Sequence, residues 1–255
     1  MRLVLGIPTA GTPTQPFLDS LAKVALPPSI DQLEPIVVTG NYVPAQRDLI
    51  AERALTSGAQ YALMCDDDIV LPRLAFVDLC AELDRHQRVA LAGALYYSRD
   101  GFRPMAVDRW DEADTTSALV PGFECEPVAV DGVGFGCVAI RIEALRELTP
   151  PYFPANVFVE RAAQRVRICN EDYLFCARLR QAGWRVLLVP AVRCGHYDRQ
   201  LKTIAPAQWE PPEITRSPRM AVLVDGMPKL IEAHAGHETT REAHVRASLD
   251  YIIVE

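Results

Sequence analysis

The chain has 255 residues, with 26 basic and 33 acidic side chains and a net charge of −7. Its length and 49% hydrophobic content suit one compact domain with a trailing extension, and the acidic balance offers no basic footprint for a nucleic-acid partner. The seven cysteines are odd in number, scattered and never in a CxxC pair, which indicates neither a disulfide framework nor a zinc cluster and points to a reducing, cytoplasmic setting.

The run RLVLGI reads as a buried strand broken at Pro8 and Gly11, and FLDSLAKVAL after Pro16 has helical apolar spacing. A second step follows, with EPIVVTG as a short strand and AQRDLIAERALTSG as a helix stopped at Gly58. YALMC is apolar enough to be buried on both faces and ends abruptly in Asp66, Asp67 and Asp68. Beyond Pro72, LAFVDLCAELDRH predicts a helix and VALAGALYY a strand. Such alternation implies an α/β fold with a mostly parallel central sheet flanked by helices.

From Gly101 onward, shorter pieces (RPMAV, PVAVDGVG, CVAIR) predict a small antiparallel portion, and the proline-rich segment 148–167 reads as an ordered loop. NEDYLFCARLRQAG then predicts a helix capped by Asn170 and stopped at Gly183, followed by the strand WRVLLVP. Past Arg199 the expectation is a connector to Pro218, the strand MAVLV, a helix and a last strand YIIVE. No apolar run is long enough to span a bilayer, and the first is too short for a signal segment, so peripheral membrane contact is the form of membrane association left open.

Carboxyl ends of strands are where open α/β sheets bind ligands, and three adjacent carboxylates there call for a cation. Mg²⁺ or Mn²⁺ takes oxygen ligands and leaves positions for diphosphate oxygens; the alternative is a solvated turn capping the next helix. Glu171 and Asp172 stand in the first turn of a helix, where stabilisation by the dipole is one reading and a general base acting on an acceptor hydroxyl is the other. His196, in CGHYD after a strand, is a candidate metal ligand or a structural histidine. Gly132, Gly134 and Gly136 in VDGVGFGCVAI suggest close ligand approach, with Asp131 on a sugar hydroxyl, or a bulge. Arg47, at the start of a helix, is placed to face a diphosphate or to form a surface ion pair.

In this order, YALMCDDDIVLP, DGVGFGCVAIR, NEDYLFCARLRQAGWRV and CGHYD resemble the GT-A glycosyltransferases, particularly the family-2-like group, over residues 2 to 198. The resemblance implies a GT-A domain at 1–198 and an extension at 199–255 for acceptor or oligomer contacts. It also implies Asp68 and His196 on the metal, Asp66 on metal or ribose, and Asp172 as base beside Glu171. Pro8, Thr9, Arg47, Asp66, Asp67, Asp131, Gly134 and Gly136 would surround the nucleotide sugar. The implied reaction moves a sugar from a UDP- or GDP-linked donor to an acceptor hydroxyl, with Mn²⁺ or Mg²⁺ as cofactor; a homo-oligomer is open. Many relatives carry an acidic residue after the second strand, where this chain has Thr39-Gly40-Asn41, so the base is undetermined. The ED pair leans towards inversion, while His196 keeps retention open. Two rivals stand beside this reading. A sugar-1-phosphate nucleotidyltransferase usually has a basic N-terminal loop, whereas GIPTAGTPTQP has no Lys or Arg; a non-catalytic nucleotide-sugar-binding module would keep the fold without turnover.

Overall fold

The computed structural model describes residues 2–110, 118–119, 126–160, 165–205, 220–224 and 227–231. The chain divides into two compact units, 1–209 and 210–255. In the first, β1 (Arg2–Thr9), α1 (Gln15–Leu21), β2 (Gln32–Thr39), α2 (Val43–Thr56) and β3 (Tyr61–Cys65) form the opening β-α-β-α-β run. The short β4 (Ile69–Val70), α3 (Ala75–Arg85) and β5 (Val89–Leu95) come next. After β6 (Ala106–Arg109), β7 (Ala118–Leu119), β8 (Val128–Val130) and β9 (Gly132–Val133), β10 (Cys137–Arg141) leads into α4 (Ile142–Arg146). The order then runs β11 (Asn156–Glu160), β12 (Arg165–Cys169), α5 (Glu171–Gln181), β13 (Arg185–Arg193), β14 (Gly195–Asp198) and β15 (Thr203–Ala205).

Seven strands make the central sheet in the order β2-β1-β3-β10-β5-β13-β8. β2, β1 and β3 are parallel, as are β5 and β13, while β10 and β8 run antiparallel to their neighbours. This is a mixed, mostly parallel α/β sheet, and its alternating side chains fill two cores. From β3, Ala62 and Met64 join Ile50, Phe175 and Leu179 on one face, and Tyr61, Leu63 and Cys65 join Phe17, Phe76 and Leu79 on the other. Both faces are therefore covered by helices, which is why YALMC reads as a continuous apolar run with no polar alternation. Against β1, α2 packs so closely that a Cβ on Gly6 would stand 2.2 Å from Cγ2 of Ile50.

Gly58 and Gly183 follow α2 and α5 with φ of +74° and +84°, the left-handed conformation that closes a helix. Three expectations need correction. α1 stops at Leu21 instead of continuing to Leu26, because Lys23 and Val24 turn back onto the carbonyls of Ser20 and Leu21 ahead of Pro27 and Pro28. α4 occupies IEALR, where no helix was expected. Within the segment read as a loop, β11 and β12 pair antiparallel, Asn156 against Cys169, as a hairpin just beyond the prolines. The β14–β15 hairpin also carries the first unit past residue 198.

In the second unit, β16 (Met220–Val224) coincides with the expected MAVLV strand and pairs antiparallel with β17 (Met227–Ile231). The helix expected beyond them and YIIVE lie outside the described residues. No helix among the described residues is long and apolar enough to cross a membrane.

Candidate functional site

The acidic run is held by its own backbone before any side chain is considered. The N–H of Asp66 bonds to the carbonyl of Gly136 at 3.0 Å, the carbonyl of Asp67 accepts from Thr14 N–H at 2.9 Å, and that of Asp68 accepts from Tyr197 N–H at 2.8 Å. Strands β3, β10 and β14 and the start of α1 thus fix where the three carboxylates point.

Each carboxylate meets a different arginine. Asp66 pairs with Arg47 at 2.8 Å, Asp67 with Arg199 at 2.8 Å and Asp68 with Arg99 at 2.5 Å. The arginines differ in exposure: the Arg47 side chain is 4% exposed, whereas those of Arg99 and Arg199 are 56% and 47% exposed. Arg47 also bonds Glu171 at 2.5 Å and lies 5.1 Å from the centre of the Phe135 ring. Its Nε, buried, has no hydrogen-bond partner among the described residues. The expectation that Arg47 faces a diphosphate meets a guanidinium already spent on two carboxylates inside the protein. Arg47 instead ties the end of β3 to the start of α5.

Glu171 takes that ion pair and Asp172 does not. Asp172 is buried and accepts the N–H of Tyr173 at 2.8 Å. Burial, opposed by the Arg47 charge and reinforced by Glu171, pushes its carboxyl up to about 7. Asp66 is raised as well, again by burial against the pull of Arg47.

His196 stands opposite Asp68, with Nε2 3.6 Å from Oδ2. Its Nδ1 lies 2.8 Å from the carbonyl oxygen of Tyr97. A carbonyl only accepts, so Nδ1 carries a proton and Nε2 is the ring nitrogen turned towards the carboxylate. That contact is unfavourable unless a proton or another cation stands between them. Burial pushes Asp68 up, yet hydrogen bonds from His196 and Arg99 outweigh it and leave the carboxyl below the usual range.

Asp68 and His196 are spaced to share a divalent ion. With ligand distances of about 2.1 Å, a carboxylate oxygen and an imidazole nitrogen 3 to 4 Å apart can share one ion. Asp68 and His196 meet this condition, and the carbonyl behind Nδ1 is the usual outer partner of a metal-bound histidine. Asp66 does not join them, being turned to Arg47. No group of three or more His, Cys, Asp or Glu side chains arranged around one ion occurs among the described residues. The described residues therefore offer two side-chain ligands to such an ion, and Mg²⁺ commonly keeps several waters besides its protein ligands.

Thr9 donates to Asp67 at 2.5 Å, and Pro8 beside it lies in the β1–β2 ladder, so this strand end supports the acidic run. Above Gly134 and Gly136 the room expected for a ligand is taken by Tyr96: a Cβ would fall 2.2 Å from its Oη at Gly134 and 2.7 Å from its Cζ at Gly136. Tyr96 Oη accepts the N–H of Gly136 at 3.1 Å, and the ring stands edge-on to His196 at 5.6 Å. Asp131 is held by Arg180 at 2.9 Å and by Trp110 N–H at 2.8 Å.

Sequence reasoning missed Arg99, Arg199 and Tyr96; the available signal was their place directly after β5, after β14 and at the edge of VALAGALYY. It also took the cysteines as scattered, but Cys65 and Cys137 are register partners with buried Sγ atoms 3.9 Å apart, and Cys194, also buried, hydrogen-bonds Cys137.

No protein-family profile and no curated protein matches the sequence. Among solved structures, the chain is similar to A197 from STIV, with a TM-score of 0.57 and 18% identity, over 80% of this chain and 93% of that one. That likeness establishes a shared fold. A structure of GalNAc-T7 with UDP, GalNAc and Mn²⁺ aligns at a TM-score of 0.47 and 16% identity, over 85% of this chain and 37% of that longer one. At that level the alignment carries no functional argument.

Proposed function

We propose that the protein is a metal-dependent glycosyltransferase that moves a sugar from a nucleotide diphosphate to an acceptor hydroxyl. The observation that carries this reading is the convergence of Asp68 Oδ2 and His196 Nε2, 3.6 Å apart, at the carboxyl side of the sheet. Two residues before Asp68, Asp66 is joined to Glu171 through the ion pairs that both make with Arg47. Asp172 is the neighbour of Glu171 along the chain and lies within the influence of the Arg47 charge.

Asp68 and His196 would hold Mn²⁺ or Mg²⁺, which supplies positive charge to a departing diphosphate. Tyr97 fixes the histidine ring through Nδ1, and Thr9 and Thr14 hold the loop that presents Asp68. Asp172, half-protonated near neutrality, suits a group that takes a proton from the acceptor hydroxyl as pH rises. Glu171 engages Arg47, so the helix start keeps one carboxylate paired and, among the described residues, one without an ion pair.

Hydrolysis of UDP- and GDP-sugars with Mn²⁺, with and without EDTA, tests this reading. Turnover abolished by EDTA and lowered at least about 100-fold in folded Asp68→Ala is expected. Wild-type turnover in that variant would sink the assignment, and donor binding without turnover would favour a binding module.

A further inference from the structure

Arg99 stands where a cation for Asp68 would be wanted. Its guanidinium reaches Oδ2 of Asp68 at 2.5 Å, and this is the same oxygen that faces Nε2 of His196. Asp68 itself is 3% exposed, so the guanidinium lies over a carboxylate that solvent scarcely reaches.

The segment that carries Arg99 does not depend on this contact. Ser98 N–H bonds to the Arg103 carbonyl at 2.8 Å, Gly101 N–H to the Ser98 carbonyl at 2.7 Å, and Arg103 N–H to Ser98 Oγ at 3.1 Å. Asp100 accepts Phe102 N–H at 3.0 Å, and Tyr97 bridges to Pro104. None of these bonds uses the guanidinium. The side chain, 56% exposed, can leave Asp68 by rotation alone while the turn stays folded. Arg47 has no such freedom, because its own side chain is buried and bonded to two carboxylates at once.

We propose that Arg99 is an exchangeable counter-cation of Asp68, which must move away before a divalent ion engages Asp68 and His196, so that the site's affinity for the ion is set by this exchange. The inference rests on the metal reading above. A guanidinium and a divalent ion compete for one oxygen of one carboxylate, and each relieves the same negative charge, so both cannot hold Oδ2 at contact distance. Removing the arginine charge removes the competitor while leaving both ion ligands in place.

The experiment is a titration of Mn²⁺ alone, with free ion read by electron paramagnetic resonance, on the wild-type chain, Arg99→Gln, Arg99→Lys, His196→Ala and Asp68→Asn. An exposed ion pair sets the scale, so Arg99→Gln is expected to bind Mn²⁺ roughly two- to fivefold more tightly than wild type. Arg99→Lys, which keeps the charge, is expected near the wild-type value, while His196→Ala and Asp68→Asn bind more weakly. Equal or weaker binding by Arg99→Gln, with His196→Ala and Asp68→Asn still weakened, overturns the exchange and leaves the metal reading standing. Unchanged binding in His196→Ala and Asp68→Asn overturns both.

Discussion

The site has two halves that solve the same electrostatic problem differently. Around Asp66 and Glu171, the compensating cation is one buried arginine shared by both carboxylates. Around Asp67 and Asp68, it is a pair of half-exposed arginines from surface turns. Burial decides the difference. A buried charge pair is expensive to separate, so the first half is fixed architecture; exposed pairs contribute little and exchange readily.

Removing the buried cation should break this contrast most strongly. Arg47→Met leaves Asp66 and Glu171 facing each other without compensation and is expected to lower stability by ~3–5 kcal/mol in urea unfolding at pH 7. A loss near that of a surface pair would mean that the two halves do not differ.

Asp172→Asn comes next and sharpens the contrast within the buried half. The folded-state carboxyl is raised to about 7, whereas an unfolded Asp ionises near 3.9. Between these values the unfolded chain has released a proton that the folded chain retains, so wild-type stability falls as pH rises through this window. Asp172→Asn should match wild type near pH 4 and exceed it by ~2–4 kcal/mol at pH 8, measured by denaturant titration at both pH values. A constant difference across pH would refute the raised carboxyl.

Gly134→Ala probes the packing between the halves. The new Cβ meets Tyr96 Oη and lies 3.1 Å from Met105 Cβ. Because the Tyr96 hydroxyl is engaged by Gly136, a cost of ~1–3 kcal/mol is expected, read as a lower melting temperature. Smallest is Arg199→Ala, for which a change of under ~1 kcal/mol is expected in the same assay. A larger loss would place Arg199 with Arg47.

Much of the fold was legible because buried strands announce themselves by composition. YALMC coincides with β3, and the paired carboxylates at the start of α5 fall where the sequence placed them. The β11–β12 hairpin was obscured by Pro150, Pro151 and Pro154, which precede the strands and do not interrupt them. In the site, the positions at strand and helix ends were readable, since they follow from element boundaries. The partners were not: Asp66, Asp67 and Asp68 are consecutive, yet their arginines lie at 47, 199 and 99. Only the folded chain assigns them. The glycines misled for a related reason, because a missing side chain signals close approach without saying whether a ligand or Tyr96 makes it.

The second turn of α2 does more than place Arg47. Next to Arg47, Asp48 accepts the N–H groups of Tyr152 at 2.6 Å and Phe153 at 2.9 Å. Phe153 then stacks on Phe175 of α5 at 4.3 Å, and both rings meet Phe135 edge-on. Adjacent residues of one helix thus clamp the charged floor and the loop ahead of β11. For anyone transplanting that loop between homologous scaffolds, Asp48 is the socket: a graft that keeps two N–H groups and an aromatic plug at 152–153 should seat, and one without them would loosen the ground under Arg47.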